Sequence, residues 1–78
     1  MNKEIRKEIL EFAEQMEMVM QENDGDKGDS WKNLSIDFLD EKIDEEFYEW
    51  FESGDKAELI DIANVAMMLW HRLTDGDE

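Results

Sequence analysis

The segment 59–70 restricts the fold of this chain more than any other. It holds ten apolar residues that are interrupted only by Asp61 and Asn64. The chain contains no Pro, and the segment lacks the alternation of apolar and polar residues that a strand would show, so the pattern predicts a helix. Burying an ionised carboxylate without a partner costs several kcal/mol. Asp61 therefore requires a positive partner.

The spacing of apolar residues predicts three helices, at about residues 2–22, 34–53 and 56–73. Gly54 suits the left-handed position that ends the second helix. Asp55 is expected to cap the third, with Glu58 completing a capping box. The connection is short enough to predict an antiparallel hairpin. We expect a single all-α domain over 1–78, with a loop at 23–33 and a frayed tail at 74–78. The apolar positions of the first helix are Ile5, Ile9, Phe12, Met16 and Val19 or Met20, and those of the second are Ile36, Leu39, Ile43, Phe47 and Trp50.

The third helix is apolar over most of its circumference, so it needs cover on several sides. Two further helices of one chain cover only part of it. We therefore expect a bundle that is completed by a second copy, as a dimer or a tetramer.

Composition excludes several classes of function. The net charge is −15, which argues against direct binding of nucleic acid or of an anionic membrane. An apolar fraction of 41% is too high for a disordered acidic tail. The first residues lack the apolar core of a signal peptide, and the longest apolar run, 65–70, is too short to cross a bilayer. We expect a soluble, cytoplasmic protein.

Acidic residues of the second and third predicted helices are expected to converge. Glu45, Glu46 and Glu49 border the apolar face of the second helix, whereas Glu41, Asp44 and Glu52 point away from it. On the third helix, Glu58, Asp61 and Asn64 follow one another at three-residue spacing. Carboxylates facing one another predict a hard cation between them, Mg²⁺ or Mn²⁺. The alternative is that Glu58 only caps its helix and that Asp61 pairs with Lys or Arg, although 8 basic residues face 23 acids.

The order of these acids resembles a known family. Glu45-Glu46-x-x-Glu49 followed by Glu58-x-x-Asp61 is similar to the EExxE…ExxD signature of the MazG-like, all-α nucleoside triphosphate pyrophosphohydrolases. Residues 12–16 (FAEQM), 27–31 (KGDSW) and 61–68 (DIANVAMM) are also similar to short members carried by phages or prophages.

The resemblance implies hydrolysis of a nucleoside triphosphate between its α and β phosphates. It implies Mg²⁺, or alternatively Mn²⁺, held by carboxylates of both helices. It further implies that Glu45 is either an additional ligand or the general base that orients the attacking water. The implied catalytic residues are Glu45, Glu46 and Glu49, and the implied metal ligands are Glu46, Glu49, Glu58 and Asp61.

The remaining candidates concern the substrate. Lys27, Lys32 and Lys42 are candidates for contacts with phosphate or are plain surface charges. Trp31 stacks on a base or anchors its loop to the core. We expect Phe38 to line the nucleoside pocket, because it lies on the acidic side of its helix. Asn64 orients a ligand or makes a buried bond between helices.

Two other functions remain open. The chain is alternatively a non-catalytic acidic interaction protein, such as a phage protein that mimics DNA, because exposed acids suit a basic groove on a partner. A relative that binds a nucleotide without cleaving it is the third reading.

Overall fold

The computed structural model describes residues 4–24 and 30–75, and these residues form helices and no strand. The helices are α1 (Lys7–Asp24), α2 (Ile36–Ser53) and α3 (Ala57–Asp75), with a short 3-10 helix at Ser30–Asn33 before α2. The expected all-α architecture with three main helices is confirmed for this part of the chain. Residues 25–29 of the expected loop and 76–78 of the expected tail lie outside it. The rest of these two predictions is partly wrong, because residues 23–24 continue α1, residues 30–33 form the 3-10 helix and residues 74–75 continue α3.

Two helices begin later than the apolar spacing indicated. α2 begins at Ile36 because Ser35 is its cap, with a Ser35 Oγ that accepts a hydrogen bond of 3.0 Å from the Phe38 N–H. α1 begins at Lys7, and the Arg6 carbonyl accepts its first hydrogen bonds. Ile5 therefore lies outside α1 and is exposed.

The connection between α2 and α3 forms as its residues predict. Gly54 has a φ of 66°, and its N–H donates to the Trp50 carbonyl at 2.8 Å. Asp55 Oδ1 then accepts from the Ala57 N–H at 3.0 Å. Only this half of the expected capping box is present, because the Asp55 N–H donates to Ser53 Oγ at 3.0 Å. Glu58 is thus not needed as a cap and lies with the acids of the candidate site.

α3 is the central helix of the described structure. It packs against α2, against α1 and against the 3-10 helix, whereas no Cα of α1 comes within 8 Å of one in α2. The two outer helices therefore diverge over α3. This divergence leaves a cleft between them, and α3 forms its floor.

The described chain buries few apolar side chains completely. Only Leu39 and Val65 do so within these residues, and half of the apolar residues of α3 are half-buried. Exposed apolar side chains are more numerous on α1 and α2 than on α3. The sequence had instead predicted uncovered apolar surface on the third helix. Large exposed apolar residues are Ile5, Ile9, Leu10, Phe12, Met18, Phe38, Phe47, Tyr48, Phe51, Leu59, Trp70 and Leu73.

None of the described helices has the length and hydropathy needed to cross a membrane.

The left-handed conformation of Gly54 predicts a measurable cost of substitution. A Cβ at this position meets no atom within 4 Å, so the cost comes from the backbone alone. Gly54→Ala should lower the free energy of unfolding in urea by roughly 1–2 kcal/mol. Gly54→Asn is the matched control and should cost less, because Asn adopts this conformation more readily. Equal stability of both variants and the wild type would contradict the assigned turn.

Candidate metal centre

The hairpin of α2 and α3 brings three carboxylates together. Glu46 projects from α2, and Glu58 and Asp61 project from neighbouring turns of α3. One oxygen of each lies within 4.8 Å of an oxygen of the other two. We call this set the carboxylate cluster. It unites three of the four metal ligands that the sequence predicted.

Lys42 partly neutralises the carboxylate cluster. Its Nζ lies 3.3 Å from Glu46 Oε2, one helical turn away on α2. Glu46 itself is only 6% exposed, which is unusual for a glutamate. A single ammonium group thus faces three carboxylates, so the cluster retains an excess of negative charge when all three acids are ionised.

The surroundings of the cluster raise the pKa values of two of its acids. For Glu46, burial raises the pKa above its ordinary 4.5, Lys42 opposes this, and the charge of Glu49 adds to it. For Asp61, burial raises the pKa above its ordinary 3.8, and the negative charge of Glu46 raises it further. Both acids would therefore ionise more readily with a further cation beside them.

Two buried oxygen atoms near the cluster have no hydrogen-bond partner among the described residues. They are Glu46 Oε1 and Asn64 Oδ1. Asn64 is 4% exposed, and its Nδ2 donates to the Met16 carbonyl of α1 at 3.3 Å. The amide oxygen, Oδ1, is therefore available to accept a bond from a ligand or to coordinate a cation. Carboxylate and amide oxygens are ligands that Mg²⁺ and Mn²⁺ accept, so the residues present fit a hard cation.

The cluster opens into the cleft between α1 and α2, which has a volume of about 700 Å³. Glu46, Asp61 and Asn64 form the polar part of its lining. Volumes of this order are typical of sites for small molecules. The other lining residues are Val19, Met20, Glu22, Asn23, Ser30, Trp31, Leu34, Phe38, Leu39, Lys42, Val65 and Met68.

The candidate substrate residues fall largely in this cleft. Trp31, Phe38, Lys42 and Asn64 all line it. Trp31 is half-buried, and its ring centroid lies 6.2 Å from that of His71 on α3, so it also anchors the 3-10 helix. Asn64 likewise makes the interhelical bond and faces the cleft. Lys27 lies outside the described residues.

The other acids occupy exposed positions. Glu49 is exposed and lies close enough to Glu46 to affect its pKa, but it is not part of the carboxylate cluster. Glu45 is exposed as well and also lies outside the cluster. Exposure of Glu41, Asp44 and Glu52 agrees with their expected position on the opposite side of α2.

The ion pair between Lys42 and Glu46 was missed in the sequence. The spacing of four residues on a helix is a known signal for such a pair. Lys42 was instead interpreted as a contact for phosphate. In the structure it is first of all the counter-ion of the buried Glu46.

Comparison of the chain with protein-family models, with curated proteins and with solved structures gives no match. The likeness to the MazG-like enzymes therefore depends on the motifs themselves.

The raised pKa values predict how stability depends on pH without metal. The folded state holds the protons of Glu46 and Asp61 more tightly than the unfolded state does. Their contribution to stability is therefore present at acidic pH and is lost as pH rises from their ordinary values through the raised ones. In EDTA, urea denaturation should show a higher free energy of unfolding near pH 4, close to the ordinary values, than near pH 7.

Substitutions separate this effect from general charge repulsion. Glu46→Gln and Asp61→Asn should each flatten the pH dependence, because each removes one group with a raised pKa. Glu52→Gln removes the same charge from the exposed side of α2 and should leave most of the dependence in place. Equal flattening by all three variants would mean that net charge, and not the cluster, sets the dependence.

Proposed function

We propose that this protein is a metal-dependent nucleoside triphosphate pyrophosphohydrolase that uses Mg²⁺ or Mn²⁺. The observation that carries the proposal is the carboxylate cluster at the wall of a cleft of about 700 Å³. The motifs of the MazG-like family contain these same acids in the same order. A second observation also supports the proposal. Glu58 lies beside Glu46 and Asp61, although a helix end and a turn separate it from Glu46 in the sequence.

Glu46, Glu58 and Asp61 would hold the metal, and Glu49 would complete the ligand set from the exposed side. A metal bound there supplies positive charge for phosphate oxygens and lowers the pKa of a bound water. Glu45 and Glu49 are exposed and accessible to solvent, which suits a residue that accepts a proton from an attacking water. We assign the general base to Glu45, as the family resemblance implies.

The cleft supplies the groups that would bind the nucleotide. Trp31 and Phe38 offer aromatic surfaces for the base, and both line the cleft. The ammonium group of Lys42 pairs with Glu46 and also lines the cleft, so it could form an ion pair with a phosphate oxygen there. Asn64 Oδ1 remains to orient a ligand or a water.

The activity is tested by release of pyrophosphate from the common ribo- and deoxyribonucleoside triphosphates with Mg²⁺ or Mn²⁺. Glu46→Gln, Glu49→Gln and Asp61→Asn should each lower the rate by at least about 100-fold, since changes even to groups behind metal ligands cost 10–100-fold. The expected products are the monophosphate and pyrophosphate.

Glu41→Gln and Glu52→Gln are the matched controls and should retain rates near that of the wild type. Equally small effects of all five substitutions would show that the wrong face of α2 has been assigned. If the wild type binds a nucleotide and metal but releases no pyrophosphate, the protein is a binding relative. If it binds neither, an acidic interaction protein is the better account.

We also infer that two or more copies of the chain assemble. Phe47, Tyr48 and Phe51 form an exposed aromatic stripe along α2, and Phe51 is 78% exposed. Together with the few fully buried apolar residues of the described chain, this stripe is more typical of an interface than of a solvated surface. Obligate interfaces bury about 2,000 Å² or more.

Sedimentation at micromolar concentration should therefore show a dimer or a tetramer. Phe51→Ser should shift the distribution towards the monomer, because it removes the most exposed aromatic ring of the stripe. Glu52→Ser alters the neighbouring exposed residue, about 100° around the helix, and should leave the assembly intact. A monomeric wild type would refute the inference without affecting the proposed chemistry.

A further inference from the structure

We propose that a second pocket, beside the cleft, binds a phosphate-type oxyanion. Trp31, Lys32, Met67, His71 and Arg72 line it, and its volume is about 360 Å³. We call it the basic pocket. Trp31 lines both this pocket and the cleft, so its indole ring separates two sites of opposite charge.

The charge of the basic pocket is opposite to that of the chain. The protein has 23 acidic residues and only 8 Lys and Arg residues. Nevertheless Lys32, Arg72 and the single His of the chain, His71, line this one pocket, and no acidic side chain is among the described residues that do so. Lys32 comes from the 3-10 helix, and His71 and Arg72 come from the end of α3. Their convergence favours a ligand with negative charge.

Arg72 is held in a defined position at this pocket. Its Nε donates to the Leu34 carbonyl at 2.9 Å, across 38 residues of sequence. This bond leaves the two terminal nitrogens of the guanidinium group, which have no hydrogen-bond partner among the described residues. A guanidinium that is fixed in this way presents a planar pair of donors, and this geometry matches two oxygens of a phosphate group.

Aromatic rings surround the other basic groups. Lys32 Nζ lies 5.8 Å from the centroid of the Trp31 ring. His71 lies between two tryptophans, with its centroid 6.2 Å from that of Trp31 and 4.9 Å from that of Trp70. Lys32 and His71 are both exposed, so their side chains are accessible to a ligand from solvent. The volume of about 360 Å³ accommodates a phosphate or a phosphate monoester.

The test uses the full chain in EDTA, so that no divalent metal can recruit an anion to the carboxylate cluster. Inorganic phosphate is titrated at constant ionic strength, and the indole Nε1–H signals of the three tryptophans are followed by NMR. Trp31, which lines the basic pocket, should show a saturable shift, and Trp70, whose ring centroid lies 4.9 Å from that of His71, should show a smaller saturable one. Trp50, on α2 and absent from the lining of the basic pocket, should show none. A parallel titration with adenosine monophosphate separates a site for free phosphate from one for a phosphate monoester, according to which binds more tightly.

Substitutions test whether phosphate binds in the basic pocket. Lys32→Gln and Arg72→Gln should each weaken phosphate binding about tenfold, as expected for the loss of one charge-assisted hydrogen bond. Lys56→Gln, in the turn before α3, removes the same charge elsewhere and should change nothing. If Arg72→Gln does not fold because it lacks the bond to Leu34, Lys32→Gln and His71→Gln provide the test instead, and both should weaken phosphate binding. The proposal is overturned if shifts are absent, if all three tryptophans shift without saturation, or if Lys56→Gln weakens binding as much as Lys32→Gln.

The outcome is independent of the proposed enzyme activity. Phosphate binding in EDTA does not require the metal, and pyrophosphate release with Mg²⁺ does not require the basic pocket. Failure of one therefore leaves the other standing.

Discussion

Repulsion among the three acids of the carboxylate cluster is the constraint on which the rest of the structure depends. At 4.8 Å, two ionised carboxylates repel each other by on the order of 3 kcal/mol at an effective dielectric constant of about 20. One ammonium group, that of Lys42, opposes this repulsion. The apolar contacts between α2 and α3 must outweigh the part of this repulsion that Lys42 does not offset. Binding of a divalent cation would remove this repulsion and would connect stability directly to function.

The central position of α3 determines what lies beside the cluster. Because α1 and α2 both pack on α3 but not on each other, a cleft opens where the acids meet. Asn64 ties α1 to this arrangement through its bond to the Met16 carbonyl. The bond uses the amide nitrogen as a donor, while the amide oxygen has no hydrogen-bond partner among the described residues and faces the cleft. Asn64 thus contributes both to the packing of α1 on α3 and to the candidate site.

Local patterns predicted the features that depend on neighbouring residues. The three helices follow from apolar spacing, and the turn at Gly54 follows from the conformational freedom of glycine. The approach of Glu46 to Asp61 follows from placing both residues on facing sides of an antiparallel hairpin. Glu58 was expected in two roles, as a cap and as a ligand, and the alternative donation by Asp55 to Ser53 leaves it with the acids.

Features that depend on distant contacts could not be predicted in this way. The bond from Arg72 to Leu34 spans 38 residues, and no local pattern indicates it. The basic pocket depends on that bond and on the position of the 3-10 helix. Ile5 has suitable spacing for α1 but lies before the helix begins, since spacing alone does not mark a terminus. Lys42 had a recognisable spacing, and its role became clear only with the burial of Glu46.

Location of a bound metal tests the central claim most directly. Mn²⁺ broadens the NMR signals of nearby nuclei, so a substoichiometric amount in moderate salt reports where it binds. The account predicts selective broadening around Glu46, Glu58 and Asp61 and of the Asn64 side-chain amide, and loss of this broadening in Asp61→Asn but not in Glu52→Gln. Uniform broadening over the acidic surface, unchanged by Asp61→Asn, would contradict it.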